Sequence, residues 1–191
     1  MNRTSTDPLF NVSFPDLGRP ALFLDIDGVL NNTQYWLQLN PKFDLDCSEK
    51  FDPRSIEILN RIVMRIEPYV ILSSSWRILY ELEVVERKLR DQGYCGLLHG
   101  RTTRNLIIQK LEDPPNYKMS KYRDRISEGW WAHRGDEIQH WRRTFGHVGS
   151  VAIVDDDADM AGLSHRLIQT DNDTGLLEEH FEPLCQLLLQ P

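Results

Sequence analysis

Three groups of oxygen-bearing side chains in this 191-residue chain each follow a short apolar run. The pair Asp25 and Asp27 follows ALFL, the serines 73–75 follow YVIL, and the acidic residues 155–157 and Asp159 follow VAIV. A short apolar run that ends in polar residues is typical of a buried strand in a parallel sheet. Because ligands bind outside the carboxyl ends of the strands in such sheets, we expect the three groups to meet at one rim.

The acidic residues at this rim predict a divalent-metal site. Carboxylates that converge without a matching number of Lys or Arg residues repel one another, and a bound cation removes that repulsion. Oxygen ligands suit a hard ion, and Mg2+ is usually held by one or two carboxylates, water and substrate phosphate. The alternative, that these aspartates are separate helix caps and turn residues, requires two acidic clusters to follow apolar runs by chance. We therefore predict Mg2+ as the cofactor.

The elements that must position these residues alternate between strand and helix. Alternation of this kind predicts an α/β fold, a three-layer, Rossmann-like parallel sheet with helices on both faces. Residues 1–20 are predicted to be an N-terminal arm and residues 21–191 a single domain, with a small flap at 92–133 and little or no cap domain. The patterns predict strands at 21–24, 69–72, 150–154 and 167–170 and helices at 53–66, 76–90, 135–145 and 176–189.

The composition is that of a globular protein in a reducing compartment. Hydrophobic residues make up 40% and charged residues 27% of the chain, which is ordinary for this class. No apolar run approaches the ~18 residues that cross a bilayer, and the N-terminus lacks a signal-peptide pattern. The three cysteines form no CxxC pair, which argues against a disulfide framework and a structural zinc site. We expect a cytoplasmic protein with no membrane contact and no obligate protein partner.

The charge is unevenly distributed along the chain. The net charge of −7 argues against a protein that coats nucleic acid. The segment 99–143, however, holds ten Lys and Arg residues against six Asp and Glu, together with Trp130 and Trp131. Basic groups with nearby aromatic rings suit single-stranded nucleic acid. The alternative is a solvated surface of mixed charge, with the two tryptophans closing a small core.

Three motifs resemble those of the haloacid dehalogenase (HAD) superfamily of phosphohydrolases. The sequence FLDIDGVL at 23–30 resembles the first motif, DxDGV/T, and Ser73 at a strand end resembles the second. Residues 151–159 resemble the fourth, an apolar strand followed by paired acids. The segments DIDGVLN, ILSSSWR, RGDEI and VDDDADM are together similar to small HAD domains linked to bacterial and phage RNA repair. The resemblance covers residues 21–175.

The resemblance implies catalytic roles for the first motif. Asp25 would be the nucleophile that attacks phosphorus and becomes an aspartyl-phosphate. Asp27 would be the general acid–base, which protonates the leaving oxygen and then deprotonates the attacking water. Residues two apart in an extended segment lie on one side, so both can face the same phosphoryl group. Gly28 would let the backbone turn sharply after the strand.

The resemblance also implies a set of metal ligands. These are Asp25, the backbone carbonyl of Asp27, and Asp156 as the direct ligand of the last motif, with Asp155 beside it or behind it. Consecutive residues of a strand point in opposite directions, so Asp155 and Asp156 cannot coordinate equally unless the strand has already turned. The roles of Asp157 and Asp159 stay open. Asp159 either holds a metal-bound water or caps a helix that begins at Met160.

The phosphate-binding residues of the resemblance include one departure from the superfamily pattern. Ser73 would donate its hydroxyl to a phosphoryl oxygen, whereas Ser74 and Ser75 cap the following helix. The third motif is normally a Lys, but Arg134 stands at the head of the helix before the last acidic strand. An Arg there can stabilise the transferring phosphoryl group with two parallel hydrogen bonds.

Some neighbouring residues allow two interpretations. Lys118 and Lys121 compete with Arg134 for the third-motif role. Arg77 either reaches the site or covers a surface. Asn31 and Asn32 either contact substrate or form the turn after the first motif.

These residues predict a Mg2+-dependent phosphomonoester hydrolase. The alternative is a phosphate- or nucleic-acid-binding HAD module with weak catalysis, but such a module would not need both Asp25 and Asp27. A mutase would need a second domain, and a dehalogenase would not require Asp27. Neither gap, 31–52 or 92–133, has the pattern of a packed cap. We therefore expect an open site for a phosphorylated substrate, either the end of an oligonucleotide or a nucleotide.

Overall fold

The computed structural model describes residues 14–42, 48–103, 107–108, 130–131 and 133–190. Its strands are β1 (Ala21–Leu24), β2 (Tyr69–Leu72), β3 (Gly100–Arg101), β4 (Ile107–Ile108), β5 (Trp130–Trp131), β6 (Val151–Asp155) and β7 (Leu167–Gln169). Its helices are α1 (Thr33–Leu39), α2 (Pro53–Ile66), α3 (Trp76–Leu79), α4 (Leu82–Asp91), α5 (Arg134–Phe145) and α6 (Phe181–Leu189). Among them, none combines the length and the apolar character that crossing a bilayer demands.

Five parallel strands form the main sheet in the order β3-β2-β1-β6-β7. Helices cover both faces of this sheet, which confirms the predicted three-layer α/β architecture. Successive side chains of β1 point to opposite faces, so Leu22 and Leu24 pack with α2, α4 and α6. Ala21 and Phe23 instead pack with α5. Burial on both sides explains the unbroken apolar runs of the central strands.

Helix α2 begins where the sequence predicts. Asp52 is the N-cap and its carboxylate accepts a hydrogen bond from the Arg54 N–H at 2.9 Å, with Pro53 in the first turn. The helix ends at Ile66, because Glu67 adopts a left-handed conformation with φ of 53°.

The predicted helix 76–90 is interrupted. Helix α3 ends at Leu79, Tyr80 and Glu81 are extended, and α4 begins at Leu82. Contacts from other elements hold the break. The Tyr80 hydroxyl donates to Glu49 at 2.5 Å, and Arg101 donates to the Tyr80 carbonyl and to the Glu81 carboxylate.

Three other segments differ from their predicted form. The insertion 31–52 contains α1, which Asn32 caps by accepting from the Tyr35 N–H at 2.8 Å. The predicted helix 176–189 is a 3-10 turn at Glu178–His180 followed by α6. The segment after the last acidic cluster is a 3-10 helix at Ala161–Arg166.

The structure describes parts of the predicted N-terminal arm and of the predicted flap. In the predicted N-terminal arm, Phe14 is buried and packs edge-on against Tyr69, Trp141 and Phe145, with ring centroids 5.0, 4.8 and 4.9 Å away. In the predicted flap, residues 92–103 lead into β3 of the main sheet, and β4 pairs antiparallel with β5. The rest of the flap, with Lys118 and Lys121, lies outside the described residues.

Candidate active site

Asp25, Ser73 and Asp155 lie at the carboxyl ends of three adjacent strands, on the face that α5 covers. Each follows by two residues a side chain that packs against α5, because side chains two apart on a strand share a face. The backbone pairing continues to this level: the Asp25 N–H donates to the Val154 carbonyl at 3.0 Å, and the Ser73 N–H donates to the Leu24 carbonyl at 2.8 Å. The fold thus brings the three polar groups together.

Three carboxyl groups form a compact cluster at this rim. Ligand atoms of Asp25, Asp155 and Asp156 all lie within 4.8 Å of one another. Asp25 and Asp155 are buried, and Asp25 Oδ1 has no hydrogen-bond partner among the residues that the structure describes. A bound cation would offset the repulsion among these three groups, and carboxylate oxygens are ligands that Mg2+ prefers, so the cluster fits the predicted metal.

The raised pKa values of the three carboxyl groups also favour a bound cation at this cluster. Burial is the main cause that raises the pKa of Asp25. Burial and the charge of Asp25 raise the pKa of Asp155 to about 8 and that of Asp156 to about 6. Each charged form is disfavoured by lost hydration and by a neighbouring carboxylate, although Arg134 favours the charged forms of Asp25 and Asp155. A divalent cation would reverse this preference and hold all three groups as carboxylates.

The carboxylate of Asp27 lies outside this cluster. It is exposed, and its Oδ1 accepts hydrogen bonds from Asn31 Nδ2 at 2.9 Å and from Trp76 Nε1 at 3.0 Å. Its Oδ2 accepts from the Ser75 hydroxyl at 3.2 Å. The ligand role predicted for the Asp27 backbone carbonyl stays a prediction.

Ser74 and Ser75, the two serines after Ser73, make different hydrogen bonds. Ser74 accepts from the Trp76 N–H at 3.3 Å, as a capping residue would. Ser75 occupies the N-cap position but makes no side-chain cap, so its predicted capping role is wrong. Its hydroxyl instead donates a hydrogen bond to the Asp27 carboxylate, and the negative charge of that acceptor strengthens the bond.

Arg134 is the cation at the acidic cluster. Its Nε lies 3.2 Å from Asp155 Oδ2, and its Nη2 lies 3.9 Å from Asp25 Oδ2. Burial opposes its charge, but Asp25 and Asp155 raise the pKa of Arg134, so the guanidinium stays protonated. Gly135 permits this placement, since a Cβ there would lie 1.8 Å from the Met160 carbonyl oxygen.

Arg77 forms a buried ion pair that the sequence analysis did not find. Its Nη2 donates to both carboxylate oxygens of Glu137, at 2.6 and 2.5 Å. Its Nη1 donates to the Ser74 carbonyl at 2.6 Å and its Nε to the Thr103 carbonyl at 3.1 Å. Arg77 is 5% exposed, so it does not cover a surface. The available signal was Glu137, which lies one helical turn after Arg134 on the same side of α5.

The remaining acidic and amide residues have structural contacts. The Asp157 N–H donates to Asp155 Oδ1 at 2.9 Å. Asp159 contacts His133 Nδ1, and the 3-10 helix after Met160 has no side-chain cap, so the capping alternative for Asp159 is wrong. Asn31 accepts from the Gly28 N–H at 3.2 Å and thereby forms the turn.

The comparison with known families decides the identity. A family model described as "HAD domain in Swiss Army Knife RNA repair proteins" matches residues 21–181. The chain belongs to this family. No curated protein and no solved structure matches it in the corresponding searches. Membership confirms the resemblance to HAD domains linked to RNA repair and places this HAD domain in a superfamily of phosphohydrolases.

Gly28 of the HAD domain leaves the space that the Asp156 carboxyl group occupies. It has φ of +72°, and a Cβ there would lie 2.5 Å from the Asp156 carboxyl carbon. We expect Gly28→Ala to displace Asp156 and weaken Mg2+ binding by about 10–100-fold, the range for changes that disturb the support of a ligand. Calorimetric titration with Mg2+ measures this.

Gly93→Ala is the matched control for this variant. Gly93 also has positive φ, at +100°, but its nearest contact would be the Ile56 side chain at 3.8 Å. Both variants strain the backbone, whereas only Gly28→Ala collides with a carboxylate. Equal Mg2+ affinities in the two variants would contradict the expected role of Gly28.

Proposed function

We propose that this HAD domain is a Mg2+-dependent phosphomonoester hydrolase that acts through an aspartyl-phosphate. The observation that carries the proposal is the buried Asp25 with its unpartnered Oδ1, flanked by Arg134 and two further carboxyl groups. A nucleophile needs an oxygen that no protein donor occupies, and a nearby cation that attracts the phosphoryl group. Asp27, two residues on, supplies the second carboxylate that such chemistry uses.

The reaction begins with attack of an Asp25 carboxylate oxygen on phosphorus. As the new P–O bond forms, the bond to the leaving oxygen breaks and Asp27 gives that oxygen a proton. Asp27 then removes a proton from a water molecule, whose oxygen attacks the aspartyl-phosphate and releases inorganic phosphate. Asp25 is regenerated as a carboxylate and Asp27 as the acid. The Ser73 hydroxyl, buried and without a described partner, and Arg134 bind the phosphoryl oxygens.

Asp25, Asp155 and Asp156 would hold the Mg2+, together with the backbone carbonyl of Asp27. The ion would neutralise charge on the phosphoryl oxygens and among the carboxylates. We expect phosphate release to require Mg2+ and to stop in EDTA, and Ca2+ to compete without supporting turnover. Mg2+ takes six ligands in a tight octahedron, while Ca2+ takes six to eight at longer distances and would disturb in-line attack.

Release of phosphate from p-nitrophenyl phosphate, followed with each metal, tests this requirement. Full activity in EDTA would contradict the metal dependence. Binding of phosphate without any turnover would instead support a binding module and contradict the proposed hydrolase.

The proposed substrate is the phosphorylated end of an oligonucleotide. The family description names RNA repair proteins, the sequence lacks the pattern of a cap over the site, and segment 99–143 carries net positive charge. Contacts of basic side chains with a nucleic-acid backbone weaken as salt rises. We therefore expect kcat/KM to be higher for an oligonucleotide 3′-phosphate than for a mononucleotide 3′-phosphate, with the difference shrinking from low to moderate salt. Equal values, or a preference for the mononucleotide, would reject this substrate class and leave the phosphatase chemistry intact.

A further inference from the structure

Asp27 is held by three hydrogen-bond donors from two separate segments. Asn31 comes from the turn after β1, and Ser75 and Trp76 come from the start of α3. We propose that these three residues, here named the Asp27 clamp, are positioning residues that aim the Asp27 carboxyl group at the leaving group of the substrate. This inference rests on the proposed phosphatase function.

The direction follows from the burial of the two aspartates. Asp25 is 5% exposed and must attack from the buried side of the phosphoryl group. In an in-line displacement the leaving oxygen departs from the opposite side, which is the side open to solvent. Asp27 is exposed, so it stands on the side from which the leaving group departs.

Two of the three donors in the clamp, Trp76 and Asn31, are held in place by further contacts. Trp76 is 4% exposed, and its ring packs against Phe51 and Tyr80 with centroids 5.5 and 5.4 Å away. Asn31 Nδ2 also donates to the Ser48 carbonyl at 3.0 Å. An exposed carboxylate without such donors would occupy several rotamers.

A fixed orientation matters because proton transfer in the transition state depends on geometry. A misplacement of about 1 Å can cost about 100-fold in rate. All three donors contact the carboxylate oxygens, so the clamp fixes both χ1 and the tilt of the carboxyl plane. Its loss should therefore slow the step that needs proton donation, and should do so most for substrates whose leaving oxygen is strongly basic.

The test compares two leaving groups in Trp76→Phe, which removes the indole N–H and keeps an aromatic ring. The probes are an alkyl phosphomonoester, whose alkoxide must be protonated, and p-nitrophenyl phosphate, whose phenolate leaves without a proton. The parameter is kcat/KM, because it contains only the steps up to loss of the leaving group. We expect about a tenfold fall for the alkyl ester, part of the 10²–10⁴-fold that a general acid contributes, and little change for the aryl ester.

Two further variants keep the test decisive. Ser75→Ala removes a second donor without touching the core, and it should shift the ratio of the two kcat/KM values in the same direction. Tyr80→Phe removes a hydroxyl that donates to Glu49 in the same aromatic stack, and it should leave the ratio unchanged. If Trp76→Phe fails to fold, the ratio in Ser75→Ala decides.

The outcomes separate this inference from the proposed function. An equal fall in kcat/KM for both esters, or no fall for either, would contradict the positioning role proposed for the clamp. If Asp25→Asn abolishes activity while the clamp variants leave the ratio unchanged, only the clamp is wrong. If Asp25→Asn keeps activity, or if the wild-type protein hydrolyses neither ester, the phosphatase function fails and the clamp with it.

Discussion

Asp25→Asn is expected to abolish phosphate release while the protein stays folded. The amide is a far weaker nucleophile than the carboxylate and cannot form a stable acyl-phosphate, so turnover should fall by at least about three orders of magnitude. The fold should tolerate the change. Burial already raises the pKa of Asp25 and disfavours its charged form, so a neutral group of the same shape suits this buried position.

The measurement is a turnover assay with p-nitrophenyl phosphate beside thermal unfolding of the same sample. Asp91→Asn, at an exposed aspartate that ends α4, is the matched control and should keep wild-type activity. If Asp25→Asn kept more than a few per cent of wild-type turnover, the assignment of Asp25 as the nucleophile would be wrong. A lower unfolding temperature with residual activity would point to a structural role instead.

Glu137→Ala is expected to lower the free energy of unfolding by about 3–5 kcal/mol, the usual cost of leaving one member of a buried ion pair alone. The substitution would strand the Arg77 guanidinium, which is 5% exposed. Burial already lowers the pKa of Arg77, and Glu137 opposes that effect. Chemical denaturation followed by circular dichroism measures the change.

Glu178→Ala is the matched control for the ion pair. Glu178 also accepts two hydrogen bonds from one arginine, Arg61, at 2.5 and 2.9 Å, but this pair is exposed. Exposed pairs contribute little because water and salt screen them. We expect little change for Glu178→Ala and an intermediate loss for Glu137→Gln, which keeps the shape without the charge. Similar losses for Glu137→Ala and Glu178→Ala would contradict the importance of the buried pair.

The sequence was informative where a single physical constraint dominates. Buried central strands have to be apolar on both faces, so β1, β2 and β6 were visible as short runs within one residue of their bounds. Polar residues at the ends of those runs have to share a rim in a parallel sheet. That topology alone was enough to anticipate the meeting of Asp25, Ser73 and Asp155.

The features that sequence reasoning missed depend on distant partners. Arg77 lies in the first turn of a helix, where an arginine is usually solvated, and its burial depends on distant acceptors, above all Glu137, sixty residues later. The break at Tyr80 depends on Glu49 and Arg101, which no local pattern connects to it. The Ser75 hydroxyl donates to Asp27 and does not cap α3, and Asp27 is likewise distant from Ser75 in the sequence. Local propensity is a weak prior, and tertiary contacts override it at such positions.

Phe14 sets a practical limit on how this domain can be dissected. The family match begins at residue 21, and a truncation designed on that boundary would remove a ring that fills the space between Tyr69, Trp141 and Phe145. The three remaining aromatic rings would then form an exposed hydrophobic patch, which promotes self-association. A recombinant fragment for biophysical work should therefore start upstream of Phe14, so that aggregation is not mistaken for a property of the intact domain.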